Sequence, residues 1–493
     1  MTSLLDQPLV PTLPTLIVRL GGKELSAVAA ATLGPVRVRC ETSRPAACEI
    51  EVDAEAPIGS VKPGDALVLT ADAARLFTGT VVATERRLGP DRTARLRIRG
   101  FDASHALRTH TDVTTYTDVT VAGLARTLSA RAGLGVDAAD DGPRRRVLLQ
   151  TGESDLTLLN RCCAAAGLWW RVDGTDLRLL DGRPDPVRTV TWGHDLIEAV
   201  LGEDTTAPAG PVRTVSWDPA TRRAVDGSST GPISLGGQGG GRTVVAPLLE
   251  NMDSADALAR SEADRQQAAA RWVRAVLRGR SEWRPGLGLR IAEDPSDTTY
   301  LLTVVEHVID AVSGWVTLVD SRPVVEPTAA AAGPSLMPGV VRDVDDPDKA
   351  GRVRVRFDAL GGTDSDWLPV LALGASVNKG FACQPDVGDT VAVLQPADAP
   401  GHGIVLGSIH VDAADDAAGV RGGAVRGVGL ATPDGQRMAL DRDTDGALLR
   451  NGAGSRLEIT ESGVVLHAEA DLTIAAPGHR LVIRADTVDF ERG

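Results

Sequence analysis

Residues 446–490 read GALLRNGAGSRLEITESGVVLHAEADLTIAAPGHRLVIRADTVDF, and this stretch decides the fold. Apolar residues alternate in short runs: Leu457 and Ile459, then Val464, Leu466 and Ala468, then Leu472 and Ile474, Leu481 and Ile483, Val488 and Phe490. Asn451-Gly452, Ser462-Gly463 and Pro477-Gly478 punctuate them as turns. A period of two puts each run's apolar side chains on one face of a strand. No helical pattern lies nearby to cover that face, and a single thin ribbon has no interior of its own. Several copies wound about one axis would create one. The stretch therefore predicts an oligomeric β-prism, a rigid rod, and a mechanical part before an enzyme.

Working outward, composition agrees with a strand-rich, multi-domain chain. Its 493 residues exceed what one core organises. Aromatic residues make up 3%, while 53 Gly and 29 Pro favour short strands and tight turns over large aromatic cores. A net charge of −14 is the wrong sign for a general nucleic-acid binder and suits the solubility of a large assembly. The five cysteines, Cys40, Cys48, Cys162, Cys163 and Cys383, have no metal-ligand spacing and read as reduced structural thiols. The first basic residue is Arg19, so no signal-peptide n-region is expected. No run reaches the ~18 apolar residues of a membrane span. Synthesis and assembly in the cytoplasm are expected.

Seven parts follow from pattern and punctuation. Residues 1–115 are strand-rich. Residues 116–186 form an α+β insert, with Val121, Leu124, Ala125 and Leu128 at helical spacing and a second helical run from Leu156 to Ala166 stopped by Gly167. Residues 187–326 return to strands around a helix over 253–277. A linker spans 327–338. Residues 339–411 carry five short strands, suited to an OB-like barrel. A second linker, 412–426, leads to the ribbon, 427–493.

Motifs in the 339–411 segment are the most specific. They are Pro347-Asp348-Lys349-Ala350-Gly351-Arg352-Val353-Arg354-Val355-Arg356-Phe357, Asp366-Trp367-Leu368-Pro369-Val370, Pro385-Asp386-Val387-Gly388-Asp389-Thr390-Val391, and Ile404-Val405-Leu406-Gly407-Ser408-Ile409. Weaker ones precede them: Arg99 to Leu107 (RGFDASHAL), Gly152-Glu153-Ser154-Asp155-Leu156, and Arg278-Gly279 through Pro285-Gly286-Leu287. In this order they resemble the hub–spike proteins of contractile injection systems. Those are VgrG of type VI secretion, its counterpart in extracellular phage-tail-like particles, and the hub and spike of contractile phage tails.

The resemblance implies a homotrimer, mainly β, with two hub β-barrels, an α+β insert, an OB-fold neck and a C-terminal triple-stranded β-helix. It implies adaptation of a hexameric tube to a threefold needle that punctures a target envelope, touching the membrane only in passing. The trimer interface of the spike would use Leu457, Ile459, Val464, Leu466, Leu472, Ile474, Leu481 and Ile483. Val488, Asp489 and Phe490 would meet a PAAR-type tip protein. Other implied partners are the inner-tube protein and the baseplate wedges. No cofactor, metal, nucleic acid or catalytic residue is expected.

Each candidate for chemistry reads more simply as structure. Asp343, Asp345, Asp346 and Asp348 lack the glycine and distal glutamate of an EF-hand and read as a solvated turn. Gly236–Gly241 lacks the Lys-Ser/Thr of a P-loop. The eight histidines contain no HExxH, and no G-x-S-x-G elbow is present. His467 and His479 stand apart, unlike paired tip ligands. His105 reads as packing or capping, and Trp169-Trp170 as core. Arg352, Arg354 and Arg356 alternate on one strand, suggesting interchain salt bridges. Two other functions remain open: a tail-associated cell-wall-degrading enzyme using Glu458 and Glu461, and an OB-fold nucleic-acid binder using that arginine strand.

Overall fold

The computed structural model describes residues 12–89, 93–204, 210–218, 223–229, 241–245, 252–323, 334–376, 379–381, 383–396, 401–410 and 419–491. Residues 236–240 of the glycine run, 327–333 of the first linker and 412–418 of the second lie outside them. The chain divides into two compact units, Met1–Ser408 and Ile409–Gly493.

The larger unit is organised by one 11-stranded sheet. Its order is Leu196–Glu203, Arg271–Arg278, Gly314–Asp320, Val304–Asp310, Val36–Glu41, Ala47–Asp53, Ala94–Phe101, Ala74–Leu88, Ala66–Ala71, Leu16–Leu20 and Lys23–Glu24. The two expected barrels are thus joined through one sheet, at the antiparallel pairing of Val304–Asp310 with Val36–Glu41. Each half keeps its own core. Val38, Ile50, Leu69 and Ile98 are buried in the first, Val273, Leu277, Leu289 and Val305 in the second. On the opposite face around the join, alternate positions are charged and the sign changes from strand to strand: Glu306 binds Arg37 and Arg39, and Glu49 binds Arg97. This is the period-two pattern of a half-buried strand.

The expected helix over 253–277 is shorter. Helix Met252–Ala270 stops, and Arg271–Arg278 is a strand. The reason is a change of period within RWVRAVLR. Val273, Ala275 and Leu277 alternate into the core, and tertiary pairing on both sides overrides helix propensity.

His307 sits within the sheet, fully enclosed. Its Nε2 lies 3.2 Å from the Trp283 carbonyl, which can only accept, so that nitrogen carries the proton and Nδ1 accepts from the Thr317 hydroxyl at 3.0 Å. Burial pushes the imidazole pKa down to about 4. The unfolded chain therefore takes up a proton before the folded one does. Stability is expected to fall as pH drops from about 6.5 towards 4, by roughly 3 kcal/mol at the lower limit. Urea midpoints at pH 7 and pH 4.5 measure this, and His307→Gln should flatten the difference.

The insert forms as its periodicity requires. Helix Val121–Arg131 is capped by the Thr120 hydroxyl, which accepts from the Gly123 amide at 3.1 Å. Helix Asp155–Ala166 is capped by Ser154 and ends at Gly167, whose φ of +72° suits glycine. Asp155 is wholly buried, its carboxylate taking the Arg131 guanidinium at 3.0 Å and the Gln150 amide at 2.9 Å. Trp170 is core, as expected, with Nε1 donating to Asn160 Oδ1 at 2.7 Å. His105 stacks on Phe101 at 4.7 Å. Cys48, Cys162 and Cys163 are buried, and all five thiols are free.

The OB domain closes the larger unit. Ser335–Pro338, expected at the end of a linker, instead open its first strand, Ser335–Asp343. That strand pairs with Arg352–Phe357 on one side and Thr390–Gln395 on the other, and Ile404–Ser408 follows. Val341, Val353, Val355, Phe357, Leu368, Val391, Val393 and Val405 fill the core. The domain rests on the insert where Gly401 leaves room for Leu149: a Cβ there would come within 2.4 Å of Leu149 Cδ1.

Candidate functional site

The second unit has a two-strand hairpin, Val420–Arg421 with Ala424–Val425, and a five-stranded antiparallel meander. Its strands are Gly427–Ala431, Arg437–Asp441, Gly446–Arg450, Arg456–Thr460 and Gly463–His467. The hairpin is tied to the meander by Arg421, which pairs with Asp441 and, at 3.7 Å, with Asp443. Arg426 reaches Asp443 at 3.5 Å. The Arg421 guanidinium holds the Asp441 carboxyl below the usual range. Sequence reading missed this D-x-D-x-D-G turn, Asp441 to Gly446, whose spacing resembles a calcium loop. Arginines meet two of its carboxylates. Among the described residues no group of three His, Cys, Asp or Glu is placed to hold a metal ion.

Register sorts the meander into two chemically distinct faces. Directly opposed residues share a face. One column is Leu430, Met438, Leu449, Leu457 and Leu466; its neighbour is Val428, Leu440, Ala447, Ile459 and Val464. The opposite face carries Arg437, Asp441, Arg450, Arg456, Glu458, Thr460 and His467. The turns at Thr432–Gln436, Asn451–Ser455 and Glu461–Ser462 keep every strand in phase, and the large apolar residues on the polar side are Leu448 and Val465, which flank Glu458.

The apolar face is uncovered. Nine of its ten side chains are large, and their exposure runs from 37% at Leu457 to 72% at Val428. An apolar surface this continuous is uncommon on a soluble monomer. Leu457, Ile459, Val464 and Leu466, four of the expected interface residues, all lie on it. The other four, Leu472, Ile474, Leu481 and Ile483, are exposed but belong to no strand. The strands expected at 472–474, 481–483 and 488–490 do not form within one chain. The physical reason is that a strand needs a hydrogen-bonded neighbour, and among the described residues none pairs with the segment past His467. Val488 and Phe490 are exposed in the same extended segment, Phe490 at 93%.

The acidic turn before the OB strand differs from the solvated reading. Asp346 is buried, and its carboxylate accepts from Arg352 Nε at 3.0 Å, Arg352 Nη2 at 2.6 Å, and the amides of Asp348, Ala350 and Arg352. Arg352 also reaches Asp348 at 2.6 Å. The Arg352 hydrogen bonds hold the Asp346 carboxyl far below the ordinary carboxylate range. Arg354 lies over the Trp367 ring and donates to the Ser365 carbonyl. Arg356 pairs with Asp358 at 2.9 Å. The arginine strand is therefore engaged within its own domain, and no interchain salt bridge is needed to explain it. Glu458 pairs with Arg456 at 3.5 Å and stands across from Leu448 and Val465, without a second carboxylate opposite.

Residues 337–410 match the family described as the type VI secretion system/phage-baseplate injector OB domain. Residues 61–277 match a family described as the Alg8 N-terminal domain, a span that runs from the first half of the large sheet through the insert to strand Arg271–Arg278. No curated protein matches the chain. Among solved structures, the chain resembles a chain of the Francisella PdpA–VgrG complex, at 9% identity and TM-score 0.54, covering 93% of this chain and 80% of that one. It resembles an Escherichia coli component of the type VI secretion system, itself described as similar to the T4 tail proteins gp27 and gp5, at 16% identity and TM-score 0.52, covering 80% and 99%. It also resembles the 43 kDa tail protein of prophage MuSo2 from Shewanella oneidensis, at 15% identity and TM-score 0.50, covering 62% and 98%. At these identities the likeness is one of fold.

Proposed function

We propose that this chain, VgrG-like in fold and carrying a baseplate-type OB domain, is the hub–spike of a contractile injection system and works as a homotrimer. The single observation that carries the reading is the uncovered double column of the ribbon. Three such faces turned towards one axis would give the ribbon the dry interior that a lone sheet lacks. Partner chains would also supply the missing neighbours for residues 468–491, letting Leu472, Ile474, Leu481 and Ile483 extend the same core. The product is a stiff needle, and its work is mechanical. It transmits sheath force to a small area of the target envelope.

The two-core sheet would meet the tube, where two similar halves per chain suit a hexameric partner. Inner-tube protein and baseplate wedges are the partners proposed there. Val488, Asp489 and Phe490 are proposed to seat a PAAR-type tip protein. The Francisella neighbour is described as a PdpA–VgrG complex, which supports a partner-bearing hub–spike. None of the described helices is long and apolar enough to cross a membrane. Assembly in the cytoplasm is the proposed route.

The other two functions are less well supported. A paired-carboxylate hydrolase needs a second acid facing Glu458, and a nucleic-acid-binding OB face needs arginines not already engaged by Asp346, Trp367 and Asp358. Light scattering coupled to chromatography tests the choice. The expected mass is three times the 51.4 kDa of one chain. A single-chain mass at micromolar concentration would overturn it.

A further inference from the structure

The polar face of the ribbon holds a row that its apolar face does not explain. Arg437 stands directly opposite Arg450, Arg450 opposite Arg456, and Arg456 opposite His467. Three guanidiniums and an imidazole therefore occupy four adjacent strands in one transverse line. At ~4.8 Å between strands the line is about 14 Å long. Like charges directly opposite one another destabilise a sheet. The chain relieves this only in part. Arg456 has Glu458 at 3.5 Å, and His467 has Glu469 at 2.9 Å. Arg450 is exposed and has no ion-pair partner among the described residues.

We propose that this row is a docking surface for the phosphate headgroups of an anionic lipid membrane. The proposal rests on the needle reading. With the two apolar columns turned inward, the row faces outward, once per chain, along the shaft. Guanidinium is weakly hydrated, permanently charged and forked, so it binds phosphate oxygens two at a time. A cross-strand row presents these forks in fixed register, so a lipid surface would meet several of them at once. The charge of the whole chain, −14, opposes attraction to an anionic surface, so any retention reports on the local row. The competing occupant is the carboxylate set of a neighbouring copy. The row's position on the face away from the apolar columns argues against it.

The test is co-sedimentation of the full chain with vesicles of phosphatidylcholine alone or mixed with phosphatidylglycerol, with light scattering on the same samples. Binding is expected to the mixed vesicles only and to be lost at high salt. Each arginine near an anionic surface contributes about fivefold, so Arg450→Gln with Arg456→Gln should weaken binding about 25-fold while leaving the mass unchanged. Arg86→Gln, on the exposed face of the large sheet, should change nothing. Failure of the wild type to bind, or equal binding by the double variant, would overturn the proposal. A fall in mass of the double variant would assign the row to carboxylates of another copy instead. A single-chain mass for the wild type would sink the needle, and the double variant would then judge the row alone.

Discussion

Replacing Leu457 with glutamate is expected to leave the chain as a single 51.4 kDa species where the wild type runs at three times that mass. Leu457 is the least exposed member of its column and stands between Leu449 and Leu466. Burying a leucine in the assembled core contributes about 1.5–3 kcal/mol per copy. A carboxylate in that place would be desolvated without a partner and would face two identical charges at the same level. The combined cost over three chains is on the order of 10 kcal/mol. Thr460→Glu, on the opposite face of the same strand, should leave the mass unchanged. An unchanged mass for Leu457→Glu would mean that the ribbon does not assemble through this face.

The second large effect is expected at Asp346. Its removal would strand the Arg352 guanidinium, whose side chain is only 8% exposed, and would release three backbone amides of the turn. Breaking a buried pair from one side costs about 3–5 kcal/mol. Asp346→Ala should therefore unfold the OB domain selectively. Hydrogen exchange should show protection lost in Arg352–Phe357 and Thr390–Gln395 and retained in Val36–Glu41. Replacing both partners, Asp346→Leu with Arg352→Met, should recover much of the loss, because no unpaired charge is then buried. Equal protection in wild type and Asp346→Ala would refute the assignment.

How much of this could be read in advance depended on the range of the interactions. The ribbon was legible because strand alternation is local, and the four OB motifs were legible because they fix short turns and strands. The helix ending at Gly167 was legible for the same reason. The pairing of Val36–Glu41 with Val304–Asp310 was not, since no residue in either strand encodes its distant neighbour. The end of helix Met252–Ala270 was misplaced because Ala, Arg and Leu favour helix locally, while sheet neighbours on both sides impose the strand. Asp346 read as part of a solvated turn because charge usually is, and Arg352 as one side of an interchain salt bridge. Its burial depends on Asp346, six residues away, presenting a carboxylate to the turn and to the guanidinium at once. The face of the ribbon was readable, but the absence of strands beyond His467 was not: alternation records what a segment is built to pair with, including partners that one chain cannot provide.

The join between the two halves of the large sheet has a consequence for synthesis. The Arg37–Glu306 contact spans 269 positions of sequence. Chains emerge from the ribosome at roughly 5–20 residues per second, so Val36–Glu41 waits tens of seconds with one edge open. Closure needs the excursion through the insert to be finished first, and contacts this far apart form slowly. The ribbon leaves the ribosome after every strand of that sheet. A nascent chain is thereby expected to complete its large sheet before its sticky end is available to siblings, an order that keeps premature tangling of half-made molecules to a minimum.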